Sequence, residues 1–166
     1  MSATAAGTTP PPGDQVRRLE LPIGKGAIGQ CRAFTSKALA DWHPSAAANG
    51  SAGSGPGERS SAQQLFVQDV LLMVSEVVTN ACIHTSGPVQ LQLDRTAERL
   101  RIEVTDPSPT PPAPRVPTPG LPGGYGLQVV VRLSRAWGYT PRGDGKVVWF
   151  EMTWPADSPG SAGSPS

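Results

Sequence analysis

The 166-residue sequence carries little net charge, few aromatics and almost no cysteine or histidine, and each shortage narrows what it can be. Lys and Arg total 14 against 13 Asp and Glu, a formal charge of +1. That balance gives no broad attraction to nucleic acid or an anionic membrane, so neither is an expected partner. The longest apolar run, Val70 to Val74, is far short of the ~20 residues that span a bilayer. Met1 to Asp14 has neither the basic start nor the apolar stretch of a secretory signal. The expected compartment is the cytoplasm.

Two cysteines, Cys31 and Cys82, both fall in apolar helical patterns and read as buried free thiols rather than a disulfide. With His43 and His84 they match a zinc site in number only. Cys82 and His84 are two apart on a helix and so point in different directions.

Gly and Pro are abundant instead, at 19 each, about twice average usage. They concentrate at both ends and in internal loops. Residues 1–14 and 155–166 are low-complexity tails with too little apolar surface to repay ordering, which leaves one domain over residues 15–154. Residues 43–62 form a Gly, Ser and Ala linker. Residues 107–122 hold eight prolines in sixteen positions, which excludes a helix or central strand and predicts a long surface loop.

Between these loops the periodicities predict a short strand over 16–22, a helix over 25–42 and a long helix over 63–84. VQLQLD (89–94) and LRIEVTD (100–106) alternate with period two around RTAE and predict an antiparallel hairpin. GGYGLQVVVRLSRAWG (123–138) reads as a glycine-led amphipathic helix. RGDGK then reads as a turn around Asp144-Gly145 before a closing strand at 147–154. Trp42, Trp137 and Trp149 are expected in or near the core, and Arg132 and Arg135 on an exposed helix face.

One stretch stands out. In SEVVTNACIH (75–84), Glu76, Asn80 and His84 follow one another at four-residue intervals, just over one helical turn. On a helical wheel, Val70, Val74, Val77 and Ala81 mark the core side, and Glu76 and Asn80 fall about 60 to 100° from its centre, at the rim. His84 lies nearer the core side and reads as a structural histidine.

The order along the chain is the informative feature: that helix, then a strand ending IEVTDPSP, then a proline-rich loop, then GGYGLQVV opening another helix. In this order the motifs resemble those of the GHKL ATPase superfamily, with SEVVTNACIH similar to its N box and the other two to its glycine boxes. The nearest likeness is to bacterial anti-sigma-factor serine/threonine kinases, over about residues 16–154. The resemblance implies an α/β two-layer sandwich, a mixed sheet covered on one face by three helices, with residues 107–122 as a lid.

It also implies ATP and Mg²⁺ as cofactors, and the residue chemistry agrees. Mg²⁺ takes oxygen ligands and few protein groups, a role for Asn80. For Glu76 the resemblance implies the role of general base. Asp106 is placed to accept from the adenine amino group. Gly123, Gly124 and Gly126, with Leu127 following, would let backbone N–H groups meet phosphates at a helix N-terminus.

Ser108 stands where the family has a glycine, and Val147 where it tends to have threonine. Ser108 keeps hydrogen-bonding capacity near the base, whereas Val147 removes a hydroxyl. Arg115 is the one charge in the loop and reads as solvated. The implied function is phosphorylation of an anti-sigma antagonist, sequestration of a sigma factor, or both, by a homodimer; the alternative is a non-catalytic, nucleotide-responsive module that regulates transcription by sequestering a partner.

Overall fold

The computed structural model describes residues 15–22, 25–42, 61–85, 87–112 and 126–155, without the Ser61 and His84 side chains. The predicted tails except Pro155, the predicted linker except Ser61 and Ala62, Arg115, Gly123, Gly124 and most of the predicted lid lie outside the described residues. The elements run β1 (Gln15–Glu20), α1 (Ala27–Trp42), α2 (Ser61–His84), β2 (Gln90–Arg95), β3 (Arg99–Asp106), α3 (Gly126–Leu133), β4 (Ala136–Arg142) and β5 (Gly145–Thr153).

The strands form one five-stranded sheet in the order β1-β2-β3-β5-β4. All four pairings are antiparallel, which corrects the mixed sheet implied by the resemblance. The connection through α3 does return the chain so that β4 runs in the direction of β3. The β4–β5 hairpin then inserts β5 between them, and no parallel pair remains among the described residues.

Alternation along each strand separates two faces. Leu100, Ile102, Val104 and Asp106 of β3 are buried, and their register partners on β5 are Met152, Phe150, Val148 and Lys146. This face, with Leu91 and Leu93 of β2, meets α2 through Val70, Met73, Val74, Val77 and Val78. α2 touches α1, α3 and β3, so it is the central helix of the layer. Ala62–Ile83 is long and apolar enough to cross a membrane by length and composition. Its buried valines and methionine make it the core helix of this sandwich instead.

α1 buries Ala27, Cys31, Thr35, Ala38, Leu39 and Trp42, and Arg32 fastens it to α2 by donating to Ser75 Oγ at 2.7 Å. At the end of the sandwich away from Asp106, Trp154 stands edge-on to both Trp42 and Phe66, with centroids 6.3 and 5.5 Å away. Burial pushes the Cys31 thiol up to about 11, and neighbouring Cys82 adds to the effect. Cys82 itself is exposed, which corrects the expectation of two buried thiols. The four-turn core stripe of α2 leaves position 82 outside it.

The predicted helix over 123–138 is shorter than expected. Ser134 N–H and Oγ both donate to Val130 O, at 2.9 and 2.6 Å, and close the last turn. Arg135 N–H then donates to Glu151 O at 2.8 Å and the chain enters the sheet. The aromatic and β-branched residues of AWGYT, with Gly138 inside and Pro141 following, suit an edge strand better than a helix. The final turn is also displaced by one residue: Arg142 pairs with Gly145, leaving Gly143-Asp144 as the two-residue loop. Gly143 takes φ of 57°, which glycine adopts without strain.

The second face of the sheet has no helix over it among the described residues. Trp149 lies there, half-buried, rather than in the core; its ring fills the space left by the missing side chain of Gly138, and Arg101 stacks over it at 4.1 Å. Arg101 donates to Glu103 at 2.7 Å and to Glu151 at 3.0 Å, while Arg99 also pairs with Glu151.

Burial disfavours the charged form of Glu151, but the Arg101 hydrogen bond and the Arg99 charge outweigh it and hold its carboxyl below the ordinary glutamate value. A lowered native pKa adds stability above the unfolded value, and that stability is lost as pH falls through the native one. Glu151→Gln is therefore expected to cost at most about 1 kcal/mol at neutral pH. In chemical denaturation run as a pH series, the gap from wild type should close under acid conditions. A gap that persists there would rule out the ion pairs as its cause.

Candidate functional site

The start of α3 brings Gly126 against Glu76 of α2, and Asp106 meets Ser108 at the end of β3. Val70, Val74, Val77 and Ala81 are buried, as the wheel predicts, and Glu76 and Asn80 are half-buried beside them. The core stripe anchors the helix, so the two polar side chains are held at its margin, one turn apart.

Glu76 faces the first residue of α3. A methyl group built on Gly126 would overlap Glu76 Oε2 and lie 3.2 Å from Glu76 Cβ. Glycine here lets the helix start approach the carboxylate closely. Leu127, next along, is buried in the hydrophobic core, so its side chain anchors α3. The first-turn N–H groups of a helix have no partner within it, which leaves donors at this end beside Glu76.

Asp106 sits at the end of β3, 5% exposed. Its Oδ1 accepts from Ser108 N–H at 2.8 Å and its Oδ2 from Lys146 Nζ at 3.0 Å. Lys146, also 5% exposed, donates a further bond to Ser108 O at 2.9 Å. Ser108 thus acts through its backbone on both charged groups, while its hydroxyl accepts from Thr110 N–H at 3.2 Å. Gly145 completes this corner: a Cβ there would overlap Asp106 O and come within 3.0 Å of Pro107 Cα. The Asp106 charge also reaches α2, where, after burial, it raises the Cys82 thiol.

Lys146 is the residue that sequence reasoning missed. Its signal was present, because Lys146 is in phase with Val148, Phe150 and Met152, and a lysine on the buried phase of a strand needs a counter-charge. His84 lies on α2 but its side chain is outside the described residues, as are Gly123, Gly124 and Arg115.

The donor set fits a magnesium nucleotide. Asn80 offers a half-exposed carboxamide oxygen of the hard type Mg²⁺ takes. Gly126 opens α3, and the unpaired N–H groups of a helix's first turn are the kind of donor that phosphate takes. The family model described as histidine kinase-like ATPase domain matches residues 30–152. No curated protein matches the chain.

Proposed function

We infer, since this chain belongs to the histidine kinase-like ATPase domain family, that it binds ATP with Mg²⁺ and transfers the γ-phosphoryl group to a serine or threonine of a partner. The partner class we assign is the anti-sigma antagonist, with a sigma factor as a second ligand, in a cytoplasmic partner-switching system. The observation that supports catalysis is the placement of Glu76, fixed at the core margin by α2 and pressed against Gly126 where α3 begins.

In this reading Glu76 takes the proton of the acceptor hydroxyl. The hydroxyl oxygen bonds to the γ-phosphorus as the bond to the bridging oxygen breaks, and ADP leaves with that electron pair. Asn80 holds the metal, which neutralises phosphate charge when bound. Asp106 receives the adenine amino group, and the backbone at Gly126 and Leu127, with Gly123 and Gly124 before it, receives phosphate oxygens.

A second reading is a nucleotide-responsive module that sequesters its partner without turnover; the bonds from Ser108 N–H and Lys146 that engage both oxygens of Asp106 bear on base binding in either reading. Calorimetry with Mg·ATP and Mg·GTP, followed by labelled-phosphate transfer to proteins co-purified from the native cell, separates the possibilities. ATP preferred over GTP together with transfer supports the kinase, and ATP binding without transfer supports sequestration. Equal affinity for the two nucleotides would overturn the base-reading role of Asp106.

A further inference from the structure

The geometry points to Lys146 as a second base-reading residue, donating to the ring nitrogen N1 of adenine while Asp106 accepts from the neighbouring amino group. This rests on the proposed ATP binding and adds a specificity determinant to it.

An ammonium group carries three N–H donors. Two of those of Lys146 are used, on Asp106 Oδ2 and Ser108 O, and the third has no partner among the described residues. The side chain is held by β5, directly opposite Asp106 in the β3–β5 register, so carboxylate and ammonium are presented together at one end of the sheet. Burial of both groups makes their positions fixed rather than adaptable.

The pair offers one acceptor beside one donor. Asp106 Oδ1 is engaged by Ser108 N–H, so Oδ2, 3.0 Å from Lys146 Nζ, is the oxygen that faces the ammonium. The pairing edge of adenine presents the complement, an amino donor next to the N1 acceptor, and proteins read extruded bases on that edge. Guanine presents an acceptor followed by two donors, one of which would be left without an acceptor here. A buried polar group without a partner costs affinity, so guanine is disfavoured.

The test compares ATP with 1-deaza-ATP, which keeps the amino group and has C–H in place of N1, by calorimetry on the wild-type chain with Mg²⁺. Loss of one charge-assisted bond should weaken 1-deaza-ATP roughly 10- to 100-fold. Lys146→Met should bind the two analogues equally. Equal binding of both by wild type overturns the inference even if the wild-type comparison is the only one obtained because the variant does not fold. Discrimination retained in Lys146→Met, tighter ATP binding by that variant, or inosine triphosphate bound as tightly as ATP would each overturn it too. Failure of the wild type to bind ATP at all overturns the nucleotide reading and this inference with it, and so is distinct from equal binding of ATP and its analogue.

Discussion

Glu76→Gln is expected to bind Mg·ATP close to wild type while phosphate transfer falls by about 10²- to 10⁴-fold, the usual contribution of a positioned base. Glutamine keeps the shape and an acceptor oxygen but cannot take a proton effectively at neutral pH. The structure makes this variant a clean one. The Glu76 side chain lies against Gly126, and an isosteric amide fills the same space at the start of α3. Asn80→Ala should behave differently, losing metal-dependent ATP affinity as well as turnover. Labelled transfer and filter-bound ATP, measured on the same preparations, check both. Transfer at wild-type rates from Glu76→Gln would leave Glu76 as a rim residue with no part in the chemistry.

Asp106→Ala is expected to cost about 3 to 5 kcal/mol of folding free energy, because it strands the buried Lys146 ammonium. Asp106 and Lys146 side chains are each 6% exposed and 3.0 Å apart. Removing the carboxylate also leaves Ser108 N–H without its acceptor. The double substitution Asp106→Ala with Lys146→Met removes both charges and should recover most of the loss. Denaturant unfolding of wild type, both single variants and the double variant gives the coupling between the two sites. Additive costs would mean the two groups are independent despite their contact. Nucleotide affinities of Asp106 variants therefore need to be read on samples shown to be folded. Asp106→Asn, for its part, should weaken ATP by about 1.5 to 3 kcal/mol through the lost charge-assisted bond.

These two residues differ in how far their setting can be read without the fold. The rim position of Glu76 and Asn80 follows from the spacing of Val70, Val74, Val77 and Ala81 alone, because a helix repeats every 3.6 residues whatever surrounds it. The β2–β3 hairpin was equally legible, since period-two alternation on both sides of a short polar turn has few other solutions. The burial of Asp106 agrees with the alternation of LRIEVTD, but its partner does not appear in that segment.

The remainder depended on which segments meet. Asp106 and Lys146 are separated by 40 residues, and nothing local sets the register that places them opposite each other. The same holds for the end of α3. AWGYT has the residue types of an edge strand but no alternation of its own, and it pairs along β5, beginning with Glu151 O accepting from Arg135 N–H. The all-antiparallel order likewise arose from β5 entering between β3 and β4.

By itself the sequence determined the central helix, its polar rim, the hairpin and the order of motifs that marks the family, because each is a periodicity or a residue type at a short fixed spacing. Only the tertiary structure decided that Gly126 lies against Glu76, that Lys146 neutralises Asp106, that Cys82 is exposed and that Trp149 sits under Arg101 on the open face of the sheet. These are contacts between residues far apart in the chain. They are fixed by how apolar surfaces are buried together and by the requirement that a charge taken out of water finds its partner.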